Sequence, residues 1–242
     1  MYKSKRKGDI RLQKIYKILP KYAILPICIC LVFNAFAYFG TRLFTTGMYH
    51  HNISIFIDDK TPFVPFMVVF YILAYVSWVV GFTVIGRESK EVCFQVTIAE
   101  QMSKIVCMLC FIFLPCTIVR PEVNGSDFFL WLTRLIYSMD SPDNLFPSIH
   151  CLENWICFRG AMKCKKVGKG YKITMFVMAL LVFASTVMIK QHVFLDIVSA
   201  VLLVELMLFI SKKFDLGRIY FKVEKKLKDR KKIKQQIKAI RN

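Results

Sequence analysis

The sequence has no internal repeat and no low-complexity linker, so a single domain is enough to account for its 242 residues. Acidic residues are scarce, with 16 Asp and Glu against 35 Lys and Arg. No acidic cluster has the spacing of metal ligands, so neither a metal nor another cofactor has to be invoked. The basic residues gather at the two ends and in one internal loop rather than on one face. That distribution argues against a nucleic-acid-binding protein.

The nine cysteines also indicate no disulfide framework, because most of them lie inside apolar stretches. Such positions suit cysteine as a small hydrophobic residue. Cys107 and Cys110 form a C-x-x-C pair, but the surrounding stretch is apolar and no second pair follows. A structural zinc site needs four ligands. We therefore expect no metal or redox site there.

What the chain does have is long apolar runs. It is 56% hydrophobic, with a mean hydropathy of +0.47, and a membrane-spanning helix needs about 20 mostly apolar residues. Two of the runs carry polar residues, which inside a membrane usually face the interior of a bundle. We predict an all-α membrane helix bundle with about six transmembrane helices, at 22–44, 63–86, 92–119, 145–162, 172–189 and 193–210.

The distribution of lysine and arginine predicts the orientation. Eight basic residues precede the first span, four follow the fourth span and thirteen lie in the tail from Lys212. Basic loops stay in the cytoplasm, so both termini are expected there. The helices between them are expected to cross the cell membrane. The predicted parts are a basic arm (1–21), a six-helix membrane domain (22–211) and a basic tail (212–242). The tail is either an amphipathic helix on anionic lipid or a solvated segment.

Three short polar segments are predicted to meet at the outer surface of this bundle. Arg120-Pro121 ends the third span, 143–150 (DNLFPSIH) begins the fourth, and 190–196 (KQHVFLD) forms the turn between the fifth and sixth. The segments are far apart in the sequence but share one membrane depth. Their convergence is the main functional signal in the sequence.

The histidines and the aspartate of these segments fit phosphoryl transfer. His192 and Asp196 are four residues apart and share a face on a helix. The carboxylate can accept one ring N–H, leaving the other nitrogen free to attack phosphorus. His150 can protonate the departing oxygen. The alternative interpretation of the His192–Asp196 spacing is a helix cap or a structural pair.

The remaining polar residues of these segments suit a phosphate group. Arg120 and Lys190 supply positive charge. Ser148 and the backbone amides at the start of the fourth helix can bind the same oxygens. Each also has a plain structural interpretation, with Ser148 as a helix N-cap and Arg120 as an arginine at a helix end.

Taken in order, Arg-Pro, Pro-Ser-x-His and His-x-x-x-Asp resemble the motifs of the type 2 phosphatidic acid phosphatase superfamily. The form Asn-x-Phe-Pro-Ser-x-His with Lys-Gln-His-x-x-x-Asp is similar to a bacterial membrane branch related to inositol phosphotransferases. The resemblance covers 89–209, about half the chain. It implies a metal-independent reaction in which His192 is the nucleophile, Asp196 orients it and His150 is the acid. Arg120 and Ser148 would then bind phosphate.

The chain departs from the family pattern at two basic positions. Phe113 stands where the first family motif has lysine, and Thr186 stands where the third has arginine. Lys190 is one candidate replacement. These departures leave three functions open: a phosphatase acting on a lipid phosphate or pyrophosphate, a lipid phosphotransferase with an alcohol acceptor, and a non-catalytic lipid-binding relative.

Glu153 lies three residues after His150, one helical turn deeper in the membrane. One hypothesis is that its carboxylate keeps the imidazole protonated and ready to act as an acid. The alternative is that Glu153 pairs with a basic residue of another helix.

Overall fold

The computed structural model describes residues 16–240; most of the predicted basic arm lies outside them. The structure is 75% helical with almost no strand. The helices are α1 (Lys21–Ala35), α2 (Arg42–Thr45), α3 (Phe56–Lys60), α4 (Val68–Glu88), α5 (Lys90–Phe113), α6 (Phe128–Met139), α7 (Ile149–Lys163), α8 (Lys169–Met188), α9 (Phe194–Lys213) and α10 (Arg218–Ile240).

Three short elements complete this order. A π-helical turn (Phe36–Gly40) joins α1 to α2, and a 3₁₀ turn (Pro65–Met67) precedes α4. Strands β1 (His51–Asn52) and β2 (Cys116–Thr117) pair in parallel, with His51 opposite Cys116.

Among the described residues, five helical segments are long and apolar enough to cross a membrane: Lys21–Thr45, Pro65–Glu88, Lys90–Phe113, Lys169–Met188 and Phe194–Lys213. These segments correspond to five of the six predicted spans, so the prediction of a helical membrane bundle is confirmed. The third predicted span, weakened by its polar first half, forms an unbroken helix only as far as Phe113. Its last six residues, 114–119, are not helical and include strand β2. The number of passes and the side of each end remain predictions.

The fourth predicted span forms α7, a helix of only 15 residues. It packs against α4, α5, α8 and α9 and buries most of its residues. Because protein surrounds α7, its side chains need not be apolar, which explains the weak hydropathy of this stretch.

Two glycines allow α4 and α7 to pack closely. A Cβ atom at Gly81 of α4 would lie 2.6 Å from Sγ of Cys157. A Cβ atom at Gly160 of α7 would collide with the side chain of Ile85. Small residues at such crossings are typical of helix contacts in membranes. This close crossing fixes the position of α7, which carries His150 near its first turn.

Candidate active site

Two of the three polar segments, 143–150 and 190–196, line one end of a cavity of about 730 Å³. The cavity lies between α1, α4, α6 and α7, and both His150 and His192 line it. Most of the other lining side chains are aliphatic or aromatic: Leu31, Phe39, Tyr71, Ile72, Tyr75, Trp78, Leu132, Leu135, Ile136, Met139, Leu145 and Ile149. An apolar cavity with a few convergent polar groups is the usual form of a small-molecule site.

His192 lies immediately before α9 and is held by the first turn of that helix. Its Nδ1 lies 3.0 Å from Oδ2 of Asp196. The same oxygen accepts a hydrogen bond from the backbone N–H of Val193 at 3.1 Å, so Asp196 also caps the helix. Asp196 therefore makes both contacts, one with the ring and one with the start of the helix, that the orienting and capping interpretations require. Since Asp196 engages Nδ1, Nε2 is the ring nitrogen available for attack.

His150 lies in the first turn of α7, where aromatic side chains fix its ring. It stacks on Tyr71 with ring centroids 4.2 Å apart, and its Nε2 lies 3.2 Å from the hydroxyl of Tyr75. The centroids of the His150 and His192 rings are 5.9 Å apart. Two segments distant in sequence thus bring two imidazoles to one cavity.

Asp140, at the end of α6, is a cavity residue that the sequence did not indicate. Its carboxylate accepts hydrogen bonds from the hydroxyls of Tyr71 at 2.6 Å and Tyr38 at 2.9 Å. Burial raises the pKa of Asp140, but the neighbouring His150 and the two hydroxyl donors outweigh it and the pKa is lowered overall. Because Tyr71 stacks on His150, Asp140 holds that ring indirectly. No motif marks this aspartate, which follows an apolar helix in a loop.

Arg120 lies behind the cavity rather than among its lining residues. Its Nη2 donates to the backbone oxygen of Asp140 at 2.7 Å and to the side-chain oxygen of Gln191, which lines the cavity. Its guanidinium also lies 4.4 Å from the ring centroid of Tyr137. Burial lowers the pKa of Arg120, while nearby Asp140 opposes that effect. The buried Nε has no hydrogen-bond partner, so one N–H of this group is unused.

Ser148 and Lys190, predicted to bind phosphate, have structural partners. Ser148 is the N-cap of α7, and its buried Oγ accepts from the backbone N–H of Cys151 at 3.3 Å. Lys190 points away from the cavity, because its Nζ donates to the backbone oxygens of Asp58 and Thr61, both at 2.7 Å. The structure therefore does not bring Lys190 to the two histidines. A phosphate-binding role would require it to leave both acceptors.

The two positions that depart from the family pattern also lie away from the cavity lining. Phe113 is 78% exposed on α5. The buried Thr186 donates to the backbone oxygen of Phe183 at 2.8 Å. Arg134, another basic residue near this end, donates to the backbone oxygens of Val123 and Gly125. Arg120, by contrast, contacts Gln191, the residue before His192.

Glu153 pairs with a basic residue of another helix, as the alternative prediction has it. Its Oε1 lies 2.8 Å from Nζ of Lys104 on α5. Within residues 16–240, no group of three or more His, Cys, Asp or Glu side chains is arranged to hold a metal ion.

No protein-family model matches the chain, and no curated protein sequence matches it.

Proposed function

We propose that the protein is a membrane-bound phosphatase that hydrolyses a lipid phosphate or pyrophosphate. The observation that supports this most is the pair of imidazoles in one apolar cavity, with His192 oriented by the buried Asp196. An activated nucleophile next to a group that can move a proton is the arrangement a covalent phosphoryl transfer needs.

In the first proposed step, Nε2 of His192 attacks phosphorus. The bond between phosphorus and the lipid oxygen breaks as the N–P bond forms, and protonated His150 gives its proton to that oxygen. Asp196 stabilises the positive charge that develops on the ring of His192. The products of this step are a lipid alcohol, or a lipid monophosphate from a pyrophosphate, and a phosphohistidine.

In the second step His150, now neutral, takes a proton from water, and the hydroxyl attacks the phosphohistidine. The N–P bond breaks, inorganic phosphate leaves and both histidines return to their starting states. Arg120 stabilises the negative charge on the phosphoryl oxygens, either through Gln191 or through its unused Nε, once these groups rearrange around the substrate.

The lining of the cavity favours a lipid over a soluble phosphate ester. Its aliphatic and aromatic side chains can hold the first part of a hydrocarbon chain beside the histidines.

We further propose that six helices, α7 included, cross the cell membrane with both termini in the cytoplasm. The positions of the basic residues support that orientation, which places the cavity end on the outer side.

A specific observation also favours a second candidate, a lipid phosphotransferase. Hydroxyl, carboxylate and amide groups of Tyr38, Asp140, Ser141 and Asn144 line the cavity. Such groups bind the hydroxyls of an alcohol or a sugar, which would attack the phosphohistidine in place of water.

The test is phosphate release by purified protein in mixed micelles containing EDTA. The substrates are phosphatidic acid, phosphatidylglycerol phosphate and undecaprenyl pyrophosphate. His192→Ala is expected to abolish release, while the matched variant His51→Ala, at an exposed position of β1, keeps the wild-type rate. Release that needs an added alcohol would favour the transferase. No reaction with any substrate or acceptor would leave the non-catalytic, lipid-binding alternative.

A further inference from the structure

A second group of ionisable side chains is enclosed in the bundle one helical turn further along α7 from His150. Nζ of Lys104 lies 2.8 Å from Oε1 of Glu153 and 3.9 Å from Oε1 of Glu100. We call Glu100, Lys104 and Glu153 the charged cluster. Lys104 and Glu100 are fully buried, and Glu153 is 4% exposed.

The charges of this cluster do not balance. Two ionised carboxylates and one ammonium leave a net charge of −1. An uncompensated charge is costly in a low-dielectric interior, where groups change their protonation state instead. Both carboxylate oxygens of Glu100 and Oε2 of Glu153 are buried without a hydrogen-bond partner. The unpartnered oxygens therefore face a site that lacks one positive charge.

Among the described residues, Lys104 is the cation within ion-pair distance of the cluster's carboxylates. His150, one turn before Glu153, contacts Tyr71 and Tyr75 instead. The side chains of the neighbouring helices that face it with a titratable group are neutral thiols or a phenol at neutral pH. Ser77 of α4 donates to the backbone oxygen of Ala74 and to Asn154, and Glu205 of α9 already pairs with Arg159 at 2.8 Å. The neutral titratable neighbours are Cys30 of α1, Cys107 of α5, Cys157 of α7 and Tyr220 of α10.

We propose that the charged cluster is a proton-binding site in which Glu100 and Glu153 share one exchangeable proton. A proton fits better than a metal ion, because Nζ of Lys104, 2.8 Å from Glu153 and 3.9 Å from Glu100, would repel a metal cation at the same carboxylates. One added proton makes the cluster neutral and gives an unpartnered oxygen a donor. This site does not depend on the proposed hydrolysis.

The cluster is linked to the cavity through one side chain. Nζ of Lys104 donates to Oδ1 of Asn34 at 2.7 Å, and Asn34 lines the cavity. On the opposite side, the hydroxyl of Tyr220 donates to Gln101 at 2.8 Å. We assign the exchange route to the cavity side, because Asn34 touches both the ammonium of the cluster and the open space.

Infrared spectroscopy of the full-length protein in lipid vesicles tests the site through the C=O band of protonated carboxylic acids. At neutral pH the wild type is expected to show this band. Charge balance predicts its loss in Glu100→Gln and in Glu153→Gln, because either remaining carboxylate is balanced by Lys104. Lys104→Met should double it. Glu205→Gln is the matched control, since that carboxylate has its own arginine, and the band should stay.

Deuterium exchange tests the route. Transfer to D₂O should shift the band in the wild type and in Tyr220→Phe, and the shift should be slower in Asn34→Leu. The proposal is overturned if the wild type has no such band, if either Glu-to-Gln variant keeps it, or if it never shifts in D₂O. Loss of the band when sodium replaces choline in the buffer would show that a metal cation occupies the site. A slower shift in Tyr220→Phe alone would overturn the route.

Discussion

The cavity around His150 and the charged cluster around Lys104 are two buried polar regions served by the same helix. His150 and Glu153 are three residues apart in α7, yet their surroundings differ. The ring of His150 borders open space and is held by aromatic side chains. Glu153 borders an ammonium group, and the cluster is closed by other side chains. Polar groups that line a cavity can bind a ligand, whereas buried charges packed against one another must neutralise one another.

This difference separates the expected effects of substitutions. Variants of the cavity should change the reaction rate more than stability. Variants of the charged cluster should change stability more than rate. The two regions meet within one turn of α7. Measuring rate and stability on the same variants therefore tests whether the regions act separately.

Asp196→Asn is expected to have the largest effect, on rate. The amide no longer favours the positive charge that forms on His192, so kcat should fall on the order of 10²- to 10⁴-fold. Because the amide oxygen can still accept from the N–H of Val193, the helix cap is retained. Initial rates at saturating lipid, with thermal unfolding in parallel, measure both effects. A KM that rises while kcat stays constant would contradict the orienting role.

Lys104→Met should have the largest effect on stability. It removes the cation that contacts both carboxylates, and breaking a buried ion pair costs about 3–5 kcal/mol. Denaturant unfolding in detergent, compared with the half-buried Lys163→Met, checks the value. If the remaining folded protein has nearly normal kcat, the two regions are separate. A variant as stable as the wild type would contradict the account of the cluster.

Tyr71→Phe changes a buried residue of the cavity lining and should have a moderate effect on both rate and stability. It keeps the ring that stacks on His150 but removes the donor to Asp140. Loss of a hydrogen bond to a charged group should lower stability by about 1.5–3 kcal/mol. The pKa of Asp140 should rise, because that donor helps to keep it low.

The pH dependence of stability checks this last point. Asp140 has a lowered pKa in the folded protein, so its contribution is present above the ordinary aspartate pKa, about 3.9, and is lost as the pH falls through the folded value. Tyr71→Phe should therefore lose less stability on acidification than the wild type. An equal or steeper loss would show that the hydrogen bond does not stabilise the carboxylate.

Lys190→Met should have the smallest effect. It removes two hydrogen bonds to backbone oxygens, so we expect a loss of about 1–2 kcal/mol in stability and little change in KM. Unfolding and steady-state kinetics on one preparation measure both. A large rise in KM with unchanged stability would restore the sequence-based assignment of Lys190 to phosphate binding.

Much of the fold could be predicted because apolar length is a local property of the sequence. Five spans match long helices, and even α7 was located from 145–162 despite its polar side chains. Its length was less predictable, since a helix surrounded by protein need not match the thickness of a membrane.

The site was predictable only where spacing carried information. The pair His192–Asp196 lies within one helical turn, so its contact followed from the sequence. Asp140 and Tyr71 meet through tertiary packing, and no local pattern marks them. Lys190 has the right charge in the right segment, but its side chain turns toward α3. Charge composition predicts which groups are near a site and not the direction in which they point.

The most direct test of the central claim is identification of the phosphorylated residue during turnover. Protein mixed with a lipid phosphate is quenched in alkali, in which phosphohistidine survives, and the peptide containing His192 is analysed by mass spectrometry. We predict an acid-labile phosphate on His192 in the wild type and in His150→Asn, with none in His192→Ala. Steady phosphate release without any phosphate on His192 would contradict the account.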